Sequence, residues 1–580
     1  MKRVFSKSMS LFLAMIMLVS CISCVSFESF AATSKTKKID GISYTYVIEK
    51  GKAKITCIDA ASKKSVKLPT KLGGKTVTEV DKYAAEWTKK VTSLTISSTI
   101  TKLNGAAFEG FYNLKTINIG KSLKTIDKDA FPCSTITKFT VPKANKYFSA
   151  KNGSLYNKKQ TKLVKFTVGK KTKKVSLGKK VTLIGDGAFA NDKYLETISM
   201  PKVKTIGAGA FANCEKFKTS AIPASAAKIG DWAYRNTAVN KVTVPKTVTG
   251  MGYGCYSMCS KLTSADMSKT KLKTISKETF DYSTKLSTIK LPNTVTKIGN
   301  YAFSGTAIKS IKLSNKITSI GAGAFSWCQK LKSVTLPSKI KTVPSYIFSG
   351  CSALKSITIP STVTKISADA FGASGLTSIK IPNSVTSIGR WAFGGCESLT
   401  SVTLPSKLKS IPSGLFEYCT KLKSVTIPST VTKINDYAFY EAGITSIKIP
   451  NSVTSIGERA FAYCRALKSV TIPDSVTSIG EACFINNSSL SSVKLSEKLT
   501  AIKNDCFAET NLTSIVIPAG VKSIEEYAIT GPFLKSVTIK GANTYIADSA
   551  FGYNTVTITA PKNSTAEKFA LSWEFEFKTL

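Results

Sequence analysis

The sequence predicts a repeat solenoid: a β-solenoid with a parallel strand ladder, about 20 rungs of 22–23 residues, closed by a cap at each end. Three observations carry this. Aromatic residues recur as Phe280, Phe303, Phe325, Phe348, Phe371, Phe393, Phe416, Phe439, Phe461, Phe484 and Phe507, every step being 22 or 23 residues. Each ring sits in one frame: Leu422-Lys423-Ser424-Val425-Thr426-Ile427-Pro428, then Val431-Thr432-Lys433-Ile434, then Ala438-Phe439. A longer period lies above the short one. Pro337–Leu404 and Pro405–Ile472 align without a gap over 68 residues and agree at 43, so a three-rung block has been duplicated.

The 580 residues divide as a signal segment 1–31, an N-terminal β-hairpin cap 32–65, repeats 66–138, a lysine-rich β-hairpin insertion 139–180, repeats 181–560 and a C-terminal cap 561–580. Lys2, Arg3 and Lys7 followed by the apolar run Leu11–Val19 and the small-residue site Ser29-Phe30-Ala31 have the pattern of an export signal. Leu18-Val19-Ser20-Cys21 offers a competing lipoprotein reading through Cys21. The front cap comes from Ile42, Tyr44, Tyr46 and Ile48, which alternate before Lys50-Gly51. Ala53, Ile55 and Cys57 then return the chain. Ala85, Phe108 and Phe131 open the ladder. The next 58 residues exceed one unit by about 35 and hold Asn152-Gly153 between apolar stretches, a strong hairpin signal, with Leu163-Val164-Lys165-Phe166 counted in the excess.

Phe189, Phe211, Tyr234 and Tyr256 resume the ladder, and Ile529 and Phe551 extend it. Within a rung, Val425 and Ile427 stand two apart and point the same way, as strand residues must. Pro428 then removes a donor and ends the pairing. One rung cannot bury its apolar side chains alone, so stability must come from stacking neighbours. Ser564 with Glu567 forms a capping box for a short helix through Leu571, and a strand Phe575–Phe577 closes the chain.

The repeated Leu-Lys-Ser-Val-Thr-Ile-Pro, Val-Thr-Ser-Ile-Gly and Ala-Phe-x-x-Cys segments resemble the BspA-type (Treponema pallidum-type) leucine-rich repeat over about residues 66–560. That resemblance implies a right-handed leucine-rich-repeat solenoid on a secreted or cell-surface bacterial protein. It also implies an adhesin-like binding role toward host matrix proteins, with no shared catalytic residues. No wall anchor is read in the sequence, so tight cell attachment is not expected.

Composition narrows the chemistry. The chain carries 82 Lys plus Arg against 35 Asp plus Glu, a net charge of +47, and no His. Without His the usual general base, the Ser-His and Cys-His pairs and the commonest zinc ligand are gone. The acids Asp505, Glu525 and Glu526 are scattered, and no paired acids are read at a common rung depth. An enzyme is therefore not expected, nor a cofactor or metal. The basic excess is nearly all Lys rather than the bidentate Arg that nucleic-acid readout favours, so nucleic acid is not an expected partner.

Candidate ligand-binding residues are lysines. Fourteen Lys and no acid lie between Asp129 and Asp186, among them Lys158, Lys159, Lys162, Lys165, Lys170, Lys171, Lys173 and Lys174. The alternative for this run is a solvated face. Lys312, Lys380 and Lys448 recur every third rung among outward Ser and Thr. The expected partners are an extracellular protein or an anionic polysaccharide or wall polymer. The alternative is a structural surface component that associates with itself, the monomer being the expected state. Trp232, Trp327 and Trp391 flank ladder aromatics on the loop side and read as rim packing. Cys214, Cys259, Cys328, Cys351, Cys396, Cys419 and Cys464, three residues after the ladder aromatic, read as reduced buried fillers. Disulfides between neighbouring rungs, such as Cys328–Cys351 and Cys396–Cys419, are the alternative.

Overall fold

The structure is a computed structural model that describes residues 33–60, 62–127, 129–131, 135–219 and 222–580. The export signal 1–31 and Cys21 lie outside the described residues. The fold is a leucine-rich-repeat solenoid of about 23 turns, in two compact units that meet in sequence between Ala150 and Lys151.

In the first unit, Ile42–Glu49 and Lys52–Asp59 pair antiparallel around a turn whose Lys50 and Gly51 both have positive φ. Alternation sends Ile42, Tyr44 and Tyr46 inward. Lys35–Ile39 covers the outer edge of this hairpin, and Lys52–Asp59 hands over to parallel pairing with Lys75–Val80. From there two columns of short parallel strands run rung to rung, one through Lys102–Leu103 and Thr125–Ile126, the other from Ser65–Lys67 to Lys138–Thr140. Phe108 stacks on Phe131 between the columns, with ring centroids 5.8 Å apart.

The second unit repeats the same rung. A two-residue strand such as Ser387–Ile388 buries its Ile and exposes its Ser. A turn carries the ladder ring inward, and a three-residue strand such as Ser401–Thr403 follows. Both strand types pair parallel and in register with the next rung, as Lys365↔Ser387 and Ser378↔Ser401 show. The rings form an unbroken stack from Phe166 to Phe507, with centroids 4.7 to 6.2 Å apart. That spacing is the strand spacing of a sheet, about 4.8 Å, widened slightly by ring thickness and offset. A single apolar cluster runs from Tyr156 to Ala570 along this unit.

Phe166 departs from the expectation. Its ring lies 4.7 Å from Phe189, so it is a ladder residue and not part of an excursion. Lys162–Lys165 pairs antiparallel with Ser154–Asn157 on one side and parallel with Leu183–Ile184 on the other, which converts hairpin pairing into rung pairing. Asn152 and Gly153 both adopt left-handed backbone, as an Asn-Gly turn requires.

At the far end the helix Thr565–Ser572 starts at Ser564, whose side chain accepts from Glu567 N–H, while the Glu567 carboxylate accepts from Asn563 N–H. Phe569 meets Phe551 edge-on at 5.9 Å, so the helix seats its ring against the last ladder aromatic. Phe577–Thr579 then pairs with the strand Thr557–Ala560.

Candidate binding surfaces

The lysines expected to bind ligand fall into three groups. Lys312, Lys380 and Lys448 are exposed at equivalent repeat positions, Lys380 in the strand Ser378–Lys380, Lys312 just after Ser310–Ile311 and Lys448 outside any strand. Three rungs at about 4.8 Å place successive members about 14 Å apart, beyond a physiological Debye length of about 8 Å, so each acts as a separate point of attraction. Lys158, Lys159, Lys162, Lys170, Lys171, Lys173 and Lys174 are also exposed. Several of them have local partners. Lys170 Nζ donates to Asn152 O at 2.7 Å, Lys171 lies over the Tyr194 ring, and Lys173 is 3.9 Å from Glu196. Lys165 does not belong to this surface. It is 6% exposed and its Nζ donates to Gly187 O at 2.8 Å, so its charge serves the interior of a rung.

The turn side holds a feature that composition did not reveal. Two positions in most rungs, two before and two after the ladder aromatic, have left-handed backbone. Gly takes this conformation freely, whereas other residues pay about 1 kcal/mol or more. Here Tyr282, Tyr301, Trp327, Tyr346, Trp391, Tyr418 and Tyr437 nevertheless occupy it. Gly alternates with them along the columns, and the space is used. A Cβ on Gly323 would meet the Tyr301 ring at 2.3 Å, and one on Gly350 would meet the Trp327 ring at 2.7 Å. The rings of Tyr301, Trp327 and Trp391 thus lie on the bare backbone of the next rung.

Between the two columns runs a trough. Its floor is the residue just after the ladder ring: Asp281, Ser304, Ser326 and Ser349. Its walls are Glu278, Tyr301 and Tyr346 on one side and Tyr282 and Trp327 on the other, enclosing about 370 Å³. A smaller hollow of about 180 Å³ follows at Asp369, Trp391, Glu417 and Tyr418, where Trp391 Nε1 donates to Glu417 Oε2. Acids do gather in these hollows, Glu278 with Asp281 in one and Asp369 with Glu417 in the other, though not at one rung depth. Burial pushes the Asp281 carboxyl up to about 6, opposed by a hydrogen bond from Ser304 and assisted by the nearby Glu278 charge. Trp327 and Trp391 pack on Gly350 and Gly414 of the next rung and also form walls of these hollows.

The periodic cysteines are free thiols. Cys214, Cys259, Cys328, Cys351, Cys396, Cys419 and Cys464 each donate Sγ–H to the carbonyl of the ladder aromatic one rung back, at 3.0 to 3.3 Å. Ser283 and Asn487 stand in the same slot and do the same to Tyr256 O and Phe461 O. The slot takes a small side chain that is most often a donor, Ala442 being the exception that fills it by volume alone, and the thiols aim at carbonyls instead of at one another. Burial pushes the Cys396 thiol up to about 11 and the Cys328 thiol up to about 12, so neither supplies a thiolate at neutral pH. Cys396→Ser is expected to hold stability within about 0.5 kcal/mol, while Cys396→Ala loses about 1 kcal/mol with its donor, measured by chemical denaturation.

Among the described residues no cluster of three His, Cys, Asp or Glu side chains could hold a metal ion, and no helix is long and apolar enough to cross a membrane. No match is found among curated proteins. Among solved structures the chain is similar to a leucine-rich repeat protein from Bacteroides ovatus, at 20% identity over 94% of this chain and 99% of that one, with a TM-score of 0.36. It is similar also to a leucine rich cell surface protein from Faecalibacterium prausnitzii, at 23% identity over 80% and 95%, TM-score 0.29. The pneumococcal vaccine antigen PcpA is a third, at 14% identity over 95% and 100%, TM-score 0.25. The model of the BspA type leucine rich repeat region matches residues 59–176, 182–306, 264–376, 341–464 and 432–559. With its rungs, its ladder and this match in agreement, the chain belongs to the BspA-type leucine-rich-repeat family.

Proposed function

We propose that the protein is a secreted or cell-surface binding protein of adhesin type, which engages an extracellular protein or an anionic polymer through its extended repeat surface. The observation that supports this most is the strand column, where Lys312, Lys380 and Lys448 stand exposed at equivalent positions among exposed Ser and Thr. Such a column offers spaced cations and hydroxyl donors, and a repeating anionic ligand can meet several of them at once. Each contact is weak because exposed ion pairs contribute little, about 0–1 kcal/mol, so affinity has to come from number.

Salt is the direct test. Binding to an anionic wall polymer or to an acidic matrix protein is expected to fall at least about tenfold between low and three-fold higher salt, since charge attraction is screened within a Debye length. Replacing Lys312, Lys380 and Lys448 together by Glu is expected to lower binding further at constant salt. Binding that is indifferent to salt and to this triple change would remove the lysine surface from the mechanism.

A further inference from the structure

The trough on the turn side is independent of the lysine surface and has the opposite character. The chain carries a net charge of +47, yet no Lys or Arg lines the hollow around Tyr301 and Trp327. Glu278 and Asp281 stand at one end of it, with Tyr282, Tyr301, Trp327 and Tyr346 as walls. From this geometry we infer that the trough is a binding site for an organic alkylammonium cation, of the trimethylammonium or lysine-side-chain class.

Four features support it. Aromatic rings attract a cation through the negative face of the ring, most strongly where water is displaced. Trp327 and Tyr282 are each 52% exposed, so area remains free for a guest. The floor carboxylate is poised for a positive partner, because Asp281 Oδ1 is buried with no hydrogen-bond partner. Glu278 reaches only a loose 3.9 Å ion pair with a half-exposed Lys277, and its charge still disfavours the ionisation of Asp281, a repulsion that a cation in the trough would ease. A neutral sugar would stack on the rings but would relieve none of that repulsion. Finally, the walls are built in advance. Tyr282, Tyr301, Trp327 and Tyr346 all hold left-handed backbone, and Tyr301 and Trp327 rest on glycines of the next rung. Strained positions of this kind persist where the surroundings fix them, and they concentrate at ligand clamps.

The same end of the trough dictates a pH response. The charged groups that face Asp281 are Glu278, which disfavours its ionisation, and Arg235, which favours it, with Ser304 donating a hydrogen bond. Asp281, pushed up to about 6, is charged at pH 7.5 and neutral at pH 5. Affinity for a cation therefore weakens as the pH falls through that range.

The test is a titration of the full chain with choline, followed by tryptophan emission at constant ionic strength. Parallel arms use n-butylammonium, the neutral carbon isostere of choline, and maltose. Choline is expected to saturate, with the neutral isostere at least about tenfold weaker and maltose without effect. Choline tighter than n-butylammonium assigns a trimethylammonium ligand, and the reverse order assigns a lysine side chain. Trp327→Ala and Asp281→Asn are each expected to weaken choline at least about tenfold. Asp281→Asn also removes a desolvated charge, so its melting temperature should hold or rise and its loss of binding is not a loss of fold. Equal binding of choline and its neutral isostere, saturation by maltose instead, or full affinity in Asp281→Asn would each overturn the assignment.

Discussion

Replacing Phe393 by alanine is expected to cost about 4 kcal/mol. The ring is fully buried, with Phe371 5.4 Å away on one side and Phe416 6.2 Å on the other. Alanine leaves a cavity in the centre of the ladder and removes two ring contacts, each worth about 0.5–1.5 kcal/mol beyond burial. Collapse around the cavity is restricted, because parallel strands on both sides fix the spacing of the rungs at Lys365↔Ser387 and Ser378↔Ser401. In a nearest-neighbour array the loss stays local at first. Amide exchange should accelerate most in the rungs around Phe371, Phe393 and Phe416, and recover a few rungs away. Phe393→Leu, which keeps most of the volume, should lose about 1–2 kcal/mol and leave exchange near native. A uniform loss of protection along the whole unit would mean that the rungs unfold as one block and not as coupled neighbours.

The ladder was legible because the residues that build it must be alike. Every rung needs an apolar ring at one depth and two inward strand residues, so Phe371, Phe393 and Phe416 keep their period whatever else changes. Phe166 was hidden by its neighbour. The slot before the ring is Ala188 or Ala210 in the following rungs, but it is Lys165 here, and a lysine in a basic stretch reads as surface. Only the structure shows its ammonium bonded to Gly187 O inside the rung. The cysteine slot was legible as a size constraint, yet its hydrogen-bond role was not, since a carbonyl one rung back leaves no mark on a single repeat. The trough was least visible. Glu278, Tyr301, Gly323 and Tyr346 occupy one column in successive rungs and share no chemistry, so no period survives. The signal that would have exposed it is the recurrence of Gly at the same offsets, Gly323 two before a ring and Gly350 two after. Such recurrence marks left-handed positions, and the aromatics that take those positions elsewhere then stand out.

Removing residues 561–580 is expected to drive the chain into dimers at micromolar concentration, read by light scattering after size exclusion. The strand Phe577–Thr579 pairs with Thr557–Ala560, and without it the backbone donors and acceptors of that edge are open to another chain. Ala566 and Ala570 of the helix are buried, and Phe569 stands edge-on to Phe551, so the same deletion uncovers the end of the apolar ladder. A second truncated copy offers the same edge and apolar end, so the two ends meet as one self-complementary patch and favour a closed dimer. Ser564→Ala is the graded control. It removes the side-chain acceptor for Glu567 N–H and should cost about 1 kcal/mol while leaving the edge covered and the chain monomeric. Assembly in the truncated chain but not in Ser564→Ala would separate edge protection from stability as the work of this cap. A truncated chain that stayed monomeric would show that rung ends are self-protecting, and self-association of the intact protein would then have to be sought on its sides.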